Sequence, residues 1–131
     1  SGADRRDERG MTALMRFSAT GDLAGVMDCI QAGASLRAVN NDGNNALWFA
    51  CFGGNADVVK LLIRHGVPLD QANETGATAL HYCASSGKSD MVGLLLNAGA
   101  DPRPTTQDGF SALELAADTG SLRQLRSATA A

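Results

Sequence analysis

Histidine, cysteine and proline are scarce in this chain of 131 residues, at two, three and three, and the aromatics are one tryptophan, one tyrosine and four phenylalanines. Each scarcity excludes something. Cys29, Cys51 and Cys83 cannot all pair within one chain, and no C-x-x-C spacing or Cys/His cluster offers a zinc site; reduced thiols in a cytosolic setting are the simplest reading. The longest apolar stretch, Ala46 to Gly54, falls far short of the roughly 20 residues that cross a bilayer. The charged opening run Asp4, Arg5, Arg6, Asp7, Glu8 and Arg9 leads into no long apolar core, so no signal peptide is expected, and a cytoplasmic protein follows. Ser1-Gly2 is expected to be a cloning remnant. An excess of positive charge is also missing. Eleven basic residues against fourteen acidic ones give a net charge of -3, which argues against a nucleic-acid binder. The acidity is local, since residues 67–131 hold four basic and seven acidic side chains while residues 1–66 hold seven of each.

What the chain does have is a repeat. Glycine recurs at Gly10, Gly43, Gly76 and Gly109, steps of 33 residues. The columns Ala13/Ala46/Ala79/Ala112, Leu14/Leu47/Leu80/Leu113, Gly21/Gly54/Gly87/Gly120 and Gly33/Gly66/Gly99 keep the same step without an insertion. Four units follow, about 7–39, 40–72, 73–105 and 106–131, behind an N-terminal extension over 1–6. Thr12, Asn45, Thr78 and Ser111 are good helix N-caps placed just before the alanine column. They predict a first helix such as Ala79 to Ser86, closed by the second glycine column in a positive-φ conformation. Asp22, Asn55 and Ser121, with Lys88-Ser89 in the third unit, then open a second helix. Its apolar residues (Val58, Val59, Leu61, Leu62 and Ile63 in one unit, Met91, Val92, Leu94, Leu95 and Leu96 in the next) run to the last glycine column. Pro68, Pro102 and Pro104 all fall after a second helix, where an extended loop joins the units.

A helix-turn-helix unit of this size cannot bury its own apolar faces, so the units must stack into a solenoid. Where the inner units carry Val58/Met91 and Leu61/Leu94, the outer ones carry Gly25 and Asp28 or Gln124 and Ser127. These read as polar capping repeats, and the expectation is a complete, monomeric array.

The period and the run Thr78-Ala79-Leu80-His81-Tyr82-Cys83-Ala84, followed by Ser85-Ser86-Gly87 and Leu94 to Asp101, resemble the ankyrin repeat family with its T-P-L-H-x-A signature. The resemblance covers about residue 7 to residue 127. It departs from the family pattern in two respects: alanine stands for proline in all four units, and the histidine survives only as His81. It implies an all-α ankyrin-repeat solenoid with hairpin-like connecting loops.

No chemistry competes with that reading. Ser86-Gly87-Lys88-Ser89 has the tail of a phosphate-binding loop, but Tyr82 stands where the motif needs its first glycine. His81 and Cys83, two apart on a helix, point in different directions. Cys29 aligns with Leu62 and Leu95 and is expected in the core; Cys51 and Cys83 fill alanine-sized sites. His81 is expected to bond Thr78 or nearby backbone, and His65 to close a helix. No enzyme, cofactor or metal site is expected.

Proteins similar to this one engage partners through the loop tips and the exposed side of the first helices. Those positions, which vary from unit to unit while the frame repeats, include Arg9 and Met11; Asn41, Asp42 and Asn44; Glu74 and Thr75; and Asp108 and Phe110. At the end of the first helices they include Phe52, Ser85 and Asp118. Phe52 and Phe110 are candidate anchors, since large exposed aromatics often serve as such. Trp48 and Phe49 are expected to pack rather than to contact a partner. The acidic rim of Asp42, Glu74 and Asp108 favours a partner with a basic patch. The expectation is a non-catalytic scaffold that binds another protein. Its rival is a regulatory or targeting domain of a larger enzyme whose catalytic part lies outside this chain.

Overall fold

The computed structural model describes residues 2–130. After a 3-10 turn at Gly2–Asp4, eight α-helices follow in pairs: α1 Ala13–Thr20 with α2 Leu23–Gln31, α3 Ala46–Gly53 with α4 Ala56–Arg64, α5 Ala79–Ser85 with α6 Ser89–Asn97, and α7 Ala112–Leu115 with α8 Thr119–Thr129. Among the described residues the only β-type pairing is an isolated bridge between Thr105 and Ser111. The first helices α1, α3, α5 and α7 pack side by side as one layer, and the second helices form the layer behind them.

Each first helix begins where its cap dictates. The side chains of Thr12, Asn45, Thr78 and Ser111 accept hydrogen bonds from the amides of Met15, Trp48, His81 and Glu114, at 3.3, 3.3, 3.4 and 3.2 Å. These bonds satisfy donors that a helix start otherwise leaves open. In α5 the cap is reciprocal, because the Thr78 amide donates to His81 Nδ1 at 3.0 Å. The other imidazole nitrogen lies 3.1 Å from the Phe110 carbonyl, so the ring ties the third repeat to the fourth. Between the layers the core runs unbroken through Leu14, Val26, Leu47, Val59, Leu62, Leu80, Val92, Leu95 and Leu125, all at most 1% exposed. Burial of one such side chain contributes about 1.5–3 kcal/mol.

The units are joined at their tips by short hairpin-like turns. Gly10, Gly43, Gly76 and Gly109 sit at φ 78, 87, 81 and 87°, the left-handed region that lets the chain turn back. Three residues before each glycine stands an acceptor. Asp7 Oδ1 takes the amides of Arg9 and Met11, Asn40 Oδ1 those of Asp42 and Asn44, and Asn73 Oδ1 those of Thr75 and Ala77. Adjacent tips are also bonded to each other. Asn41 donates its amide to the Arg9 carbonyl, Glu74 to Asp42 and Gln107 to Thr75, at 2.9, 2.9 and 2.8 Å.

The chain before residue 7 is tied onto this frame. Asp4 Oδ1 accepts the Ser35 amide at 2.8 Å, the bond that Asp70 makes with Asp101 two repeats later, also at 2.8 Å. The Arg6 guanidinium donates to the Val39 carbonyl.

The first repeat departs from the capping expectation. Asp28 and Ser127 are exposed, but Gly25 is buried. A Cβ there would come within 2.6 Å of Phe17 Cγ. Phe17 occupies the column that holds Ala50 and Cys83 in the inner repeats, so a large residue on α1 fills the space left by a missing one on α2. Gln124, expected on a polar end face, is half-buried and donates to the Ser89 carbonyl at 2.9 Å. Cys29, expected in the core, is only partly buried against it.

The fourth repeat breaks the helix register. Gly21, Gly54 and Gly87 adopt φ 73, 73 and 69°, but Gly120 lies inside α8 with no left-handed turn. The first helix stops at Leu115, and the Ala117 amide bonds the Ala84 carbonyl of the repeat before, at 2.9 Å. The N-cap of α8 is therefore Asp118, which accepts the Ser121 amide at 3.4 Å, and not Ser121. Lys88 precedes α6 without any side-chain cap.

Candidate functional site

The side formed by the first helices and the tips collects most of the predicted contact residues. Arg9, Asn41, Asp42, Phe52, Glu74, Thr75, Ser85, Asp108 and Phe110 are exposed and Met11 is half-buried. Phe52 and Phe110, at 54% and 46% exposed, are among the few large apolar side chains left open to solvent. Two predicted contacts have structural duties instead. Asn44 is 8% exposed, with its Oδ1 accepting from Asn73 Nδ2 at 3.1 Å. Asp118 caps α8, because the fourth repeat starts that helix early. Asn41 is exposed, but its side-chain amide is already committed to the Glu8 carbonyl at 2.9 Å.

Phe52 is not isolated. It stacks on Trp48, one helical turn earlier, with ring centroids 5.7 Å apart and planes 10° from parallel. Trp48 meets Phe49 edge-on at 5.0 Å and Tyr82 of the next repeat at 4.8 Å. Lys88 closes the cluster, with Nζ 5.8 Å above the Tyr82 ring and 3.4 Å from the Phe52 carbonyl. Trp48 stands in the column of His81 yet makes neither of that histidine's bonds. Half-buried and stacked, it contributes an aromatic surface that its packing role in the sequence did not suggest. The signal was available: two aromatics four residues apart on a helix share a face.

In front of Trp48, Phe49 and Phe52 the first two tips enclose a groove of about 620 Å³, completed by Glu8, Arg9, Met11 and Asp42. This volume falls in the range of specific ligand sites, but its lining is the meeting of two repeats and not a deep pocket. Its charges are free for other partners. Among the described residues the only ion pairs are Arg16–Asp7 at 3.6 Å and Arg103–Asp101 at 2.9 Å, and neither lies in the groove.

The remaining titratable groups look structural. Asp7 is held below the ordinary carboxylate value, chiefly by the Met11 amide, with the Arg9 amide and the Arg16 guanidinium helping. Cys51 and Cys83 are fully buried side by side; the Cys83 side chain and burial push the Cys51 thiol far up, away from the reactive thiolate. His81 bonds Thr78 as expected, and His65 is the C-cap of α4. Among the described residues no group of three or more His, Cys, Asp or Glu side chains could hold a metal ion. No helix there is long and apolar enough to cross a membrane.

Paired helices stacked at a fixed period, with hairpin tips projecting to one side, define a helical repeat solenoid. The family model for ankyrin repeats in three copies matches residues 14–106 and, in an overlapping placement, 71–126; the chain belongs to the ankyrin repeat family. It is similar to the Notch-regulated ankyrin repeat-containing protein of Homo sapiens, 43% identical over 54 residues, which are 41% of this chain and 47% of that protein. It is similar as well to osteoclast-stimulating factor 1 of Monopterus albus, 37% identical over 43 residues, which are 33% of this chain and 20% of that protein. The matches thus span about half or less of these curated relatives. Ankyrin repeats are in general protein-binding modules without catalytic activity of their own.

Proposed function

We propose that this domain is a non-catalytic scaffold that binds a partner protein through its tips and the concave face of its first helices. The observation that carries this reading is the pair Phe52 and Phe110, large apolar side chains exposed on the face where the repeats differ most. Solvent-exposed aromatics beside ordered, mutually bonded loops suit a binding surface, because little chain entropy is lost on association. The unpaired carboxylates of Asp42, Glu74 and Asp108 favour a partner with basic residues and raise the association rate more than the affinity. The net charge of -3 speaks against nucleic acid as the partner. Three free thiols fit a cytoplasmic setting, and we read the domain as a monomer.

The test uses the native domain and a Phe52→Ala/Phe110→Ala variant as baits in a lysate of the source organism, with circular dichroism to verify that both keep their helices. A protein retained by the native bait and lost by the variant supports the reading. Equal retention by both would move the contact to another face.

A further inference from the structure

We propose that the groove between the first two repeats is a docking site for an arginine side chain carried on an extended segment of the partner protein. The inference rests on reading the concave face as a protein-binding surface and adds the chemistry of one subsite.

Elimination narrows what the groove can recognise. Its asparagines are spent within the fold: Asn40 Oδ1 holds the amides of Asp42 and Asn44, Asn41 bonds the Glu8 carbonyl, and Asn44 accepts from Asn73. The Met11 sulfur accepts from Asn40 Nδ2 at 3.8 Å, so what remains open is the aromatic surface of Trp48 and Phe52 and the charges of Glu8, Asp42 and Arg9. Two carboxylates against one guanidinium leave the groove at net charge -1, and among the described residues no ion pair neutralises either acid. A flat, weakly hydrated cation suits this combination. A guanidinium can stack on a tryptophan or phenylalanine face while its coplanar N–H groups reach a carboxylate; an ammonium has no plane to stack. Arg9 in the same lining opposes a second cation, so a segment with one arginine is favoured over a polybasic one.

The same positions one repeat later lack this chemistry. Glu8, Asp42, Trp48 and Phe52 become Asn41, Thr75, His81 and Ser85. Two repeats later they are Glu74, Asp108, Glu114 and Asp118, acidic without an aromatic. At that third interface the exposed ring is Phe110 on a tip; only the first interface sets its acids beside a stacked pair of rings on a first helix.

The experiment needs no knowledge of the natural partner, because Trp48 is the only tryptophan and reports occupancy by its fluorescence. The native domain is titrated with a hexapeptide set in which one central residue is arginine, lysine, glutamine, glutamate or leucine. Arginine peptides are expected to bind about tenfold more tightly than glutamine peptides, with a saturable change in Trp48 emission that weakens as salt rises. Glu8→Gln/Asp42→Asn should abolish most of that preference, and the exposed positions of both residues leave folding undisturbed. Preference for glutamate or leucine peptides, equal arginine binding by the double variant, or no change in Trp48 emission would each overturn the proposal. Should no peptide bind while a captured protein still depends on Phe52 and Phe110, this subsite falls and the protein-binding reading stands.

Discussion

Replacing Phe17 and Gly25 separately and together tests whether the first repeat is an inner repeat with its packing inverted. Phe17→Ala removes a partly buried ring. A fully buried phenylalanine costs about 3–5 kcal/mol on truncation, and partial exposure brings the expectation here to about 2 kcal/mol. Gly25→Val places a side chain where even Cβ would lie 2.6 Å from Phe17 Cγ. The atom struck is the root of the ring, so no rotation of its tip relieves the overlap, and the expected cost is about 1–3 kcal/mol. The double variant recreates the Ala50/Val58 combination of the second repeat, with the new valine filling the space the ring vacates. Its destabilisation should then be about 2–3 kcal/mol less than the sum of the single changes, a coupling well above the roughly 0.5 kcal/mol scatter of independent sites. Urea denaturation followed by circular dichroism gives the total. Hydrogen exchange at the amides of α1 and α2 shows whether the loss is confined to the first repeat, as nearest-neighbour stacking requires. A double variant destabilised by the full sum would refute the complementarity argument.

Further predictions concern the tips, the caps and the thiols. Because the folded state holds Asp7 below the 3.8 of an unperturbed aspartate, its bonds stabilise the first tip above that value and are lost as pH falls through and below it. Protection from amide exchange at Arg9 and Met11, taken relative to the intrinsic rate at each pH, should therefore fall in acid; that at Thr75 and Ala77 should not respond through Asn73, and Asp7→Asn should remove the fall. Gly43 and Gly109 share φ 87°, but a Cβ on Gly43 would meet Asn73 Cα at 3.0 Å while one on Gly109 meets nothing within 4 Å. Both alanine variants should lose about 1 kcal/mol to backbone strain, and Gly43→Ala measurably more, in thermal melts. His81→Leu removes a reciprocal cap and the bond to Phe110, so a loss of about 1–2 kcal/mol is expected in the same assay. A thiol reagent should label Cys29 first and reach Cys51 and Cys83 only on unfolding; early labelling of either buried thiol would contradict the packing.

The frame was legible because its columns are local physics repeated: caps, turning glycines and apolar stripes each act within a few residues. What escaped depends on pairs of columns read together. Phe17 and Gly25 each look like an isolated irregularity until the inner repeats show that one is large where the other is small. Gly120 keeps its column yet not its conformation, since Asp118 offers an earlier cap and the Ala117 amide finds the Ala84 carbonyl. The acceptors Asp7, Asn40 and Asn73 form no visible column because two residue types perform one task. For the proposed binding face, exposure of Phe52 and Phe110 followed from their columns, and the stack of Trp48 on Phe52 from their four-residue spacing on one helix, once the two were read together.

The amide bonds between neighbouring tips run along the direction in which the repeats stack, from Asn41 to Arg9, from Glu74 to Asp42 and from Gln107 to Thr75. A load pulling the ends of the array apart therefore acts on these junctions one after another, as on the links of a chain, instead of being shared among them. The weakest junction sets the force at which the domain begins to yield. Adding repeats of the same kind would lengthen the extension before failure without raising that threshold.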